Sequence, residues 1–191
     1  MFAKMTRDPR FTLSVLGLAG LTLLIKGRRT SRLDGRWSTR IGNGKPLALD
    51  LSHASSPKVG FFEALVVSAL PGLRRPERAA TLAAPLLAGL LGHALKRLVP
   101  RRRPGWAGWS ANGRQSFPST HTAHAASLAF IGARVARRHG AGVWADAAAA
   151  GIVALVALAR LRAKAHWPTD VLAGALLGIA SARAAQTGAL E

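Results

Sequence analysis

Three short polar clusters interrupt an otherwise apolar chain. Lys96 is followed by six residues and then Arg103-Pro104; Pro118 leads into Ser119, Thr120 and His121; Arg160 is followed by five residues and His166, then by three and Asp170. These residue types suit work on a phosphate ester, whose negative charge repels nucleophiles. A catalyst must neutralise the non-bridging oxygens, supply a nucleophile and protonate the leaving oxygen. Lys96, Arg103 and Arg160 are the cations; arginine grips two phosphate oxygens at once and lysine acts as a compact charge. Ser119 and the N–H groups of a helix beginning beside it add donors at a place suited to phosphate. If the turn "HWPTD" allows, Asp170 accepts a hydrogen bond from a ring nitrogen of His166 and fixes its tautomer. A lone histidine at a helix start is more often a cap or a wetted polar residue, so the weight lies on the three clusters together.

The elements that must position these clusters are apolar. The chain has 191 residues, no Cys and no Tyr, so it has no disulfide framework, thiolate metal site or tyrosine nucleophile. Against 27 Lys and Arg stand only 8 acids, a formal charge of +19, which points to an anionic partner such as nucleic acid, lipid headgroups or a phosphorylated substrate. The cations cluster between apolar runs, at Phe11–Ile25, Phe61–Leu73, Ala79–Leu95, Thr120–Ala133, Ala141–Ala159 and Val171–Ala182. Most are shorter than the ~20 residues that span a bilayer comfortably, and snorkelling Arg and Lys extend their reach. The expected fold is all-α, a polytopic membrane bundle of about six transmembrane helices forming one domain over residues 1–191; the rival is a soluble Ala-rich bundle. The first run resembles a signal peptide but lacks a small-x-small cleavage site, so it is expected to remain as a helix.

Residues 26–60 form a basic connection, too polar to span, with room for a short surface helix. An even number of crossings separates the 96–119 and 160–170 loops, which places them on one membrane face; the turns at 74–78 and 134–139 fall on the other. Gly174 and Gly178 make a GxxxG that permits close helix packing.

Taken together, "KRLVPRRRP", "FPSTH" and "ARLRAKAHWPTD" resemble the three-part signature of the type 2 phosphatidic-acid phosphatase (PAP2) superfamily, KxxxxxxRP, PSxH and SRxxxxxHxxxD. Two positions depart from it: Ala159 replaces the usual Ser, and Thr120 stands where many members carry Gly. The resemblance implies a PAP2/haloperoxidase-like core and a lipid-phosphate phosphatase. It makes His166 the nucleophile of a phosphohistidine intermediate, Asp170 its orienting partner and His121 the general acid, with Lys96, Arg103, Ser119, Thr120 and Arg160 binding phosphate. No cofactor or metal is expected, since the acids are too few to cage Mg²⁺. A polyprenyl phosphate or pyrophosphate, a phosphatidyl headgroup or a polyprenyl-phosphosugar phosphate all suit such a site. The alternatives are a phosphotransferase of the same family and a non-enzymatic membrane protein that binds anionic lipid; nucleic-acid binding rests on the charge alone and is not expected.

Other residues are expected to serve structure or surface. Arg101 and Arg102 are assigned to lipid phosphates, Arg162 and Lys164 to a second phosphate or the headgroups, and Trp106, Trp109 and Trp167 to the interface. His124 reads as structural or pocket-lining, His93 as a helix-end residue, and His53 and His139 as solvated; Glu63 and Asp146 read as partners for arginines of neighbouring helices. The motif face holds 17 of the 27 Lys and Arg and the opposite face 10. The positive-inside rule therefore puts the motif face in the cytoplasm of a bacterial inner membrane, whereas the resemblance implies an extracytoplasmic site for many bacterial members.

Overall fold

The structure, a computed structural model, describes residues 5–41, 57–69, 73–104 and 115–188. Their regular secondary structure is helical, apart from one isolated antiparallel bridge between Arg102 and Gln115, with short turns and loops between the helices. The helices are α1 (Pro9–Lys26), α2 (Ser31–Arg40), α3 (Pro57–Ala69), α4 (Arg75–Leu98), α5 (Thr120–Arg138), α6 (Gly142–Arg162) and α7 (Pro168–Gly188). Five of the six apolar runs extend into longer helices, and polar side chains cap the starts of α1 and α4. Asp8 accepts from the backbone N–H groups of Arg10 and Phe11 at the start of α1, and Glu77 accepts from the Arg74 N–H at the start of α4. The run at 61–73 differs: its helix starts earlier and ends at Ala69, as expected of a helix that stops ahead of Pro71. The basic 26–60 connection contains a full helix, α2, and gives up its last residues to α3. His53, Trp106 and Trp109 lie outside the described residues.

Helix α7 is the hub, packing on α5, α4 and α1. Its core is built mostly from alanine: Ala80, Ala84, Ala182 and Ala185 surround Ile131, and Ala88 and Ala123 meet Leu177. The large apolar side chains point the other way, with Leu23, Leu90 and Trp144 all at least 70% exposed. A soluble bundle would bury such residues. Small residues inside and large ones outside suit helices held by close packing while lipid solvates the exterior. Among the described residues three helices, α1, α4 and α6, are long and apolar enough to cross a membrane. Helices α5 and α7 are less apolar because they carry the site's polar groups, and α3 has only 13 residues. The GxxxG of α7 fits this closeness: a Cβ on Gly174 would lie 2.4 Å from the Ser119 carbonyl oxygen, and one on Gly178 2.3 Å from that of Ala123.

Ion pairs mark the two ends of the bundle. Arg138 pairs with Glu77, Arg183 with Asp8 and Arg137 with Asp146, which joins the 74–78 and 134–139 turns at the end away from the three motifs. The Asp146 carboxylate is 43% exposed, and pairs that open contribute about 0–1 kcal/mol. Asp146→Asn is accordingly expected to change unfolding free energy by less than about 1 kcal/mol, read by denaturant titration in detergent.

Candidate active site

Three motifs meet at one end of the bundle because short backbone contacts tie their loops together. Ser116 N–H donates to the Arg101 carbonyl at 2.7 Å and Ser119 N–H to the Asp170 carbonyl at 3.0 Å. Lys96, at the end of α4, spends two of its donors on the Gln115 and Pro118 carbonyls, at 3.2 and 2.8 Å. Arg103 donates to the Ala165 carbonyl at 2.8 Å. The Phe117–Pro118 peptide is cis. Each motif thus holds the backbone of another.

His166 is 2% exposed and lies between α6 and α7. Its Nδ1 lies 2.7 Å from the Ser116 carbonyl oxygen. A carbonyl can only accept, so Nδ1 carries the proton and Nε2 keeps its lone pair. This corrects the expected Asp170–His166 hydrogen bond. Asp170 Oδ2 is 3.8 Å from Nδ1, beyond hydrogen-bond range, and it accepts instead from Trp167 N–H at 2.8 Å. Asp170 fixes the turn that carries the histidine and leaves the ring to the main chain. Its other oxygen accepts from Arg101 at 2.6 Å.

Burial pulls the His166 imidazole down to about 4; Arg160 and Lys96 push the same way, and Asp170 opposes them. The ring is therefore neutral, as attack requires, far below the ordinary histidine range. If it is the nucleophile, the acid limb of kcat/KM, which reports the free enzyme, is expected near pH 4. A pH–rate profile checks this; a limb near 6.5 would show an imidazole outside this environment.

The cations and histidines share one field. Arg160 is 1% exposed, and it interacts electrostatically with Lys96, His121 and His166, as Arg103 does with Lys96 and His121. His121 is half-buried in the first turn of α5, and its Nδ1 has no hydrogen-bond partner among the described residues. Ser119 caps α5 through Thr122 N–H, and its hydroxyl also bonds the Thr122 hydroxyl at 3.0 Å. It is fully buried, so its contribution here is to aim the helix start. Thr120 turns its methyl toward α4, where a Cβ on Gly92 would come within 2.8 Å of it; a glycine opposite makes room for the bulkier residue.

Two expectations about the surrounding arginines and lysines change. Arg101 does not face lipid phosphates: its side chain is 14% exposed and bridges Asp34 and Asp170. Lys164 donates to the Ser38 carbonyl, tying α2 to the 160–170 loop. Arg102 and Arg162 are exposed, and Trp167 donates from its ring N–H to the Arg102 carbonyl at 2.8 Å. His124 is buried, with neither ring nitrogen bonded among the described residues, and it lines an apolar cavity of about 540 Å³ with Glu63 and His121. Among the described residues no three His, Cys, Asp or Glu side chains are grouped to hold a metal ion.

Sequence reasoning missed Asp34 and the Ser116 carbonyl. Asp34, on α2, is 1% exposed and accepts from Arg101 and from both the backbone and hydroxyl of Thr169. Its signal was available: it is the lone acid between Asp8 and Asp50 in a strongly basic stretch. The carbonyl has none, since every residue carries one.

Residues 79–188, more than half of the chain, match the family model of the PAP2 superfamily. Two crystal structures share the fold. The transmembrane PAP2-type phosphatidylglycerolphosphate phosphatase of Bacillus subtilis aligns with a TM-score of 0.72 at 22% identity, over 94% of this chain and 94% of its own. LpxE of Aquifex aeolicus aligns with a TM-score of 0.59 at 24% identity, over 75% of this chain and 88% of its own. No curated protein matches the chain in sequence.

Proposed function

The chain belongs to the PAP2 superfamily, and from that premise we propose that it is a one-domain lipid-phosphate phosphatase of a bacterial inner membrane. It hydrolyses a phosphomonoester or pyrophosphate of a polyprenyl, phosphatidyl or polyprenyl-phosphosugar lipid. The reaction passes through a phosphohistidine and needs no metal ion. The observation that carries the reading is the 2.7 Å contact between His166 Nδ1 and the Ser116 carbonyl, which leaves Nε2 unprotonated in a pocket of Lys96, Arg103 and Arg160.

In the first step the Nε2 lone pair attacks phosphorus. The bond from phosphorus to the lipid oxygen breaks, and His121 gives that oxygen its proton, releasing the lipid alcohol or, from a pyrophosphate, the lipid phosphate. The ring is left as a cationic phosphohistidine with its proton on Nδ1. In the second step water attacks phosphorus, the N–P bond breaks, and His121 takes a proton from the water. Phosphate leaves and both histidines return to their starting states. The three cations stabilise charge on the non-bridging oxygens throughout.

The test is phosphate release in detergent from a panel of phosphatidic acid, phosphatidylglycerol phosphate and short polyprenyl diphosphates, with EDTA present. Expected are release that survives EDTA and an acid-labile, base-stable phosphoenzyme after a rapid quench. Loss of activity in EDTA, or turnover with no phosphoenzyme, would overturn the mechanism. Transfer to an added alcohol in place of water would identify a phosphotransferase.

A further inference from the structure

The network centred on Arg101 takes no part in the steps above. We infer that Asp34 and Arg101 are positioning residues that, with Asp170, maintain one net negative charge beside the His166 ring; the inference rests on His166 being the nucleophile. Arg101 is the bridge. One guanidinium nitrogen donates to Asp170 Oδ1 at 2.6 Å and to Thr169 at 2.7 Å, while the other donates to Asp34. Thr169 closes the ring of contacts, donating to Asp34 from its backbone at 3.1 Å and from its hydroxyl at 2.8 Å. Both carboxylates are buried, at 1% and 0% exposure, so water screens them little.

Charge balance gives this arrangement its purpose. Attack by Nε2 turns a neutral ring into a cation. Among the described residues, the titratable groups that interact with that ring are Lys96 from α4, His121 from α5, Arg160 from α6 and Asp170 from α7. Asp170 alone is negative, and Arg101 cancels it at 2.6 Å. Asp34 supplies the second carboxylate, so the trio of Asp34, Arg101 and Asp170 carries one negative charge, which favours the phosphohistidine cation over the neutral ring. The acid comes from α2, outside the three motifs, on a helix whose Leu33 and Trp37 face outward at 59% and 53% exposure.

The test compares four variants on the panel lipid that the wild type hydrolyses fastest, reading kcat, KM and the rate of phosphoenzyme formation. Asp34→Asn makes the trio neutral; kcat and phosphoenzyme formation are expected to fall about 30-fold, with KM within about 3-fold, since the phosphate cations are untouched. Asp34→Asn combined with Arg101→Gln returns the trio to one negative charge and is expected to recover at least about 5-fold of that loss. Thr169→Val removes hydrogen bonds but no charge and is expected to stay within about 3-fold of wild type. A double variant no better than Asp34→Asn, or Thr169→Val as impaired as Asp34→Asn, would show scaffolding rather than charge and overturn the inference; so would an unchanged Asp34→Asn. Should Asp34→Asn alone not fold, the double variant still decides: folded and active supports the inference, while unfolded or inactive overturns it. His166→Ala separates the two claims, since activity surviving in it overturns the nucleophile assignment itself.

Discussion

His166→Ala is expected to lower phosphate release by on the order of 10⁴-fold or more, with no phosphoenzyme detectable after a rapid quench. The size follows from what is lost. In the proposed mechanism the side chain supplies the bond-forming lone pair, and no described neighbour is placed to replace it: His121 has its own role on α5, and the carboxylate of Asp170 is occupied by Arg101 and Trp167 N–H. What remains is the field of Lys96, Arg103 and Arg160, which is expected to go on holding a phosphate group, so inorganic phosphate should inhibit or bind with affinity changed by less than about 10-fold. The cost to folding is smaller. The truncation removes a neutral ring and strands one buried carbonyl, that of Ser116, at about 1–3 kcal/mol. Circular dichroism and size-exclusion chromatography in detergent check that the loss is chemical. Activity within 10-fold of wild type would remove His166 from the reaction.

Gly174→Ala is expected to be damaging for a different reason, though it touches no phosphate. The added methyl would meet the Ser119 carbonyl oxygen at 2.4 Å and the Thr122 Cβ at 3.2 Å. The first contact is backbone, so no rotamer change relieves it, and α5 must move off α7. Overpacking of this kind costs about 1–3 kcal/mol. The effect on turnover is larger, because the displaced segment carries Ser119 and His121, and a shift of ~1 Å in a catalytic group costs about 100-fold. Thermal unfolding with kcat on the same sample reads both. Gly132→Ala is the matched control: no atom lies within 4 Å of a Cβ there, and it should behave as wild type.

How much of this was legible in the sequence depends on what carried each feature. The three motifs were legible because their groups are side chains with distinctive chemistry at fixed spacing, and the helix parity that brings them together needed only a count of apolar runs. Arg101 was misread because its neighbours Arg102 and Arg103 are also cations; nothing local separates the arginine turned to lipid from the one turned to a buried carboxylate. That choice depends on Asp34, 67 positions away. The partner of His166 was illegible for another reason. Asp170 sits at the spacing that suggests a hydrogen bond, but the ring turns toward a main-chain acceptor 50 positions earlier. The charge comparison between faces was blurred in the same way, since Lys96, Arg101, Arg103, Arg160 and Lys164 are bonded or buried within the protein rather than spread at its surface.

The ion pairs at both ends of the bundle also set where the chain tolerates change. Of its 8 acids, Asp8, Asp34, Glu77, Asp146 and Asp170 each have an arginine partner. With 27 Lys and Arg, a lost cation leaves many others, whereas a lost Asp8, Glu77 or Asp146 takes away the carboxylate paired with Arg183, Arg138 or Arg137, and a lost Asp34 or Asp170 leaves Arg101 with one carboxylate where it had two. A deep mutational scan should therefore be lopsided. Most lysines and arginines would accept neutral replacements, and intolerance would concentrate on the few acids in proportion to their burial, heaviest at Asp34 and Asp170 and lightest at Asp146.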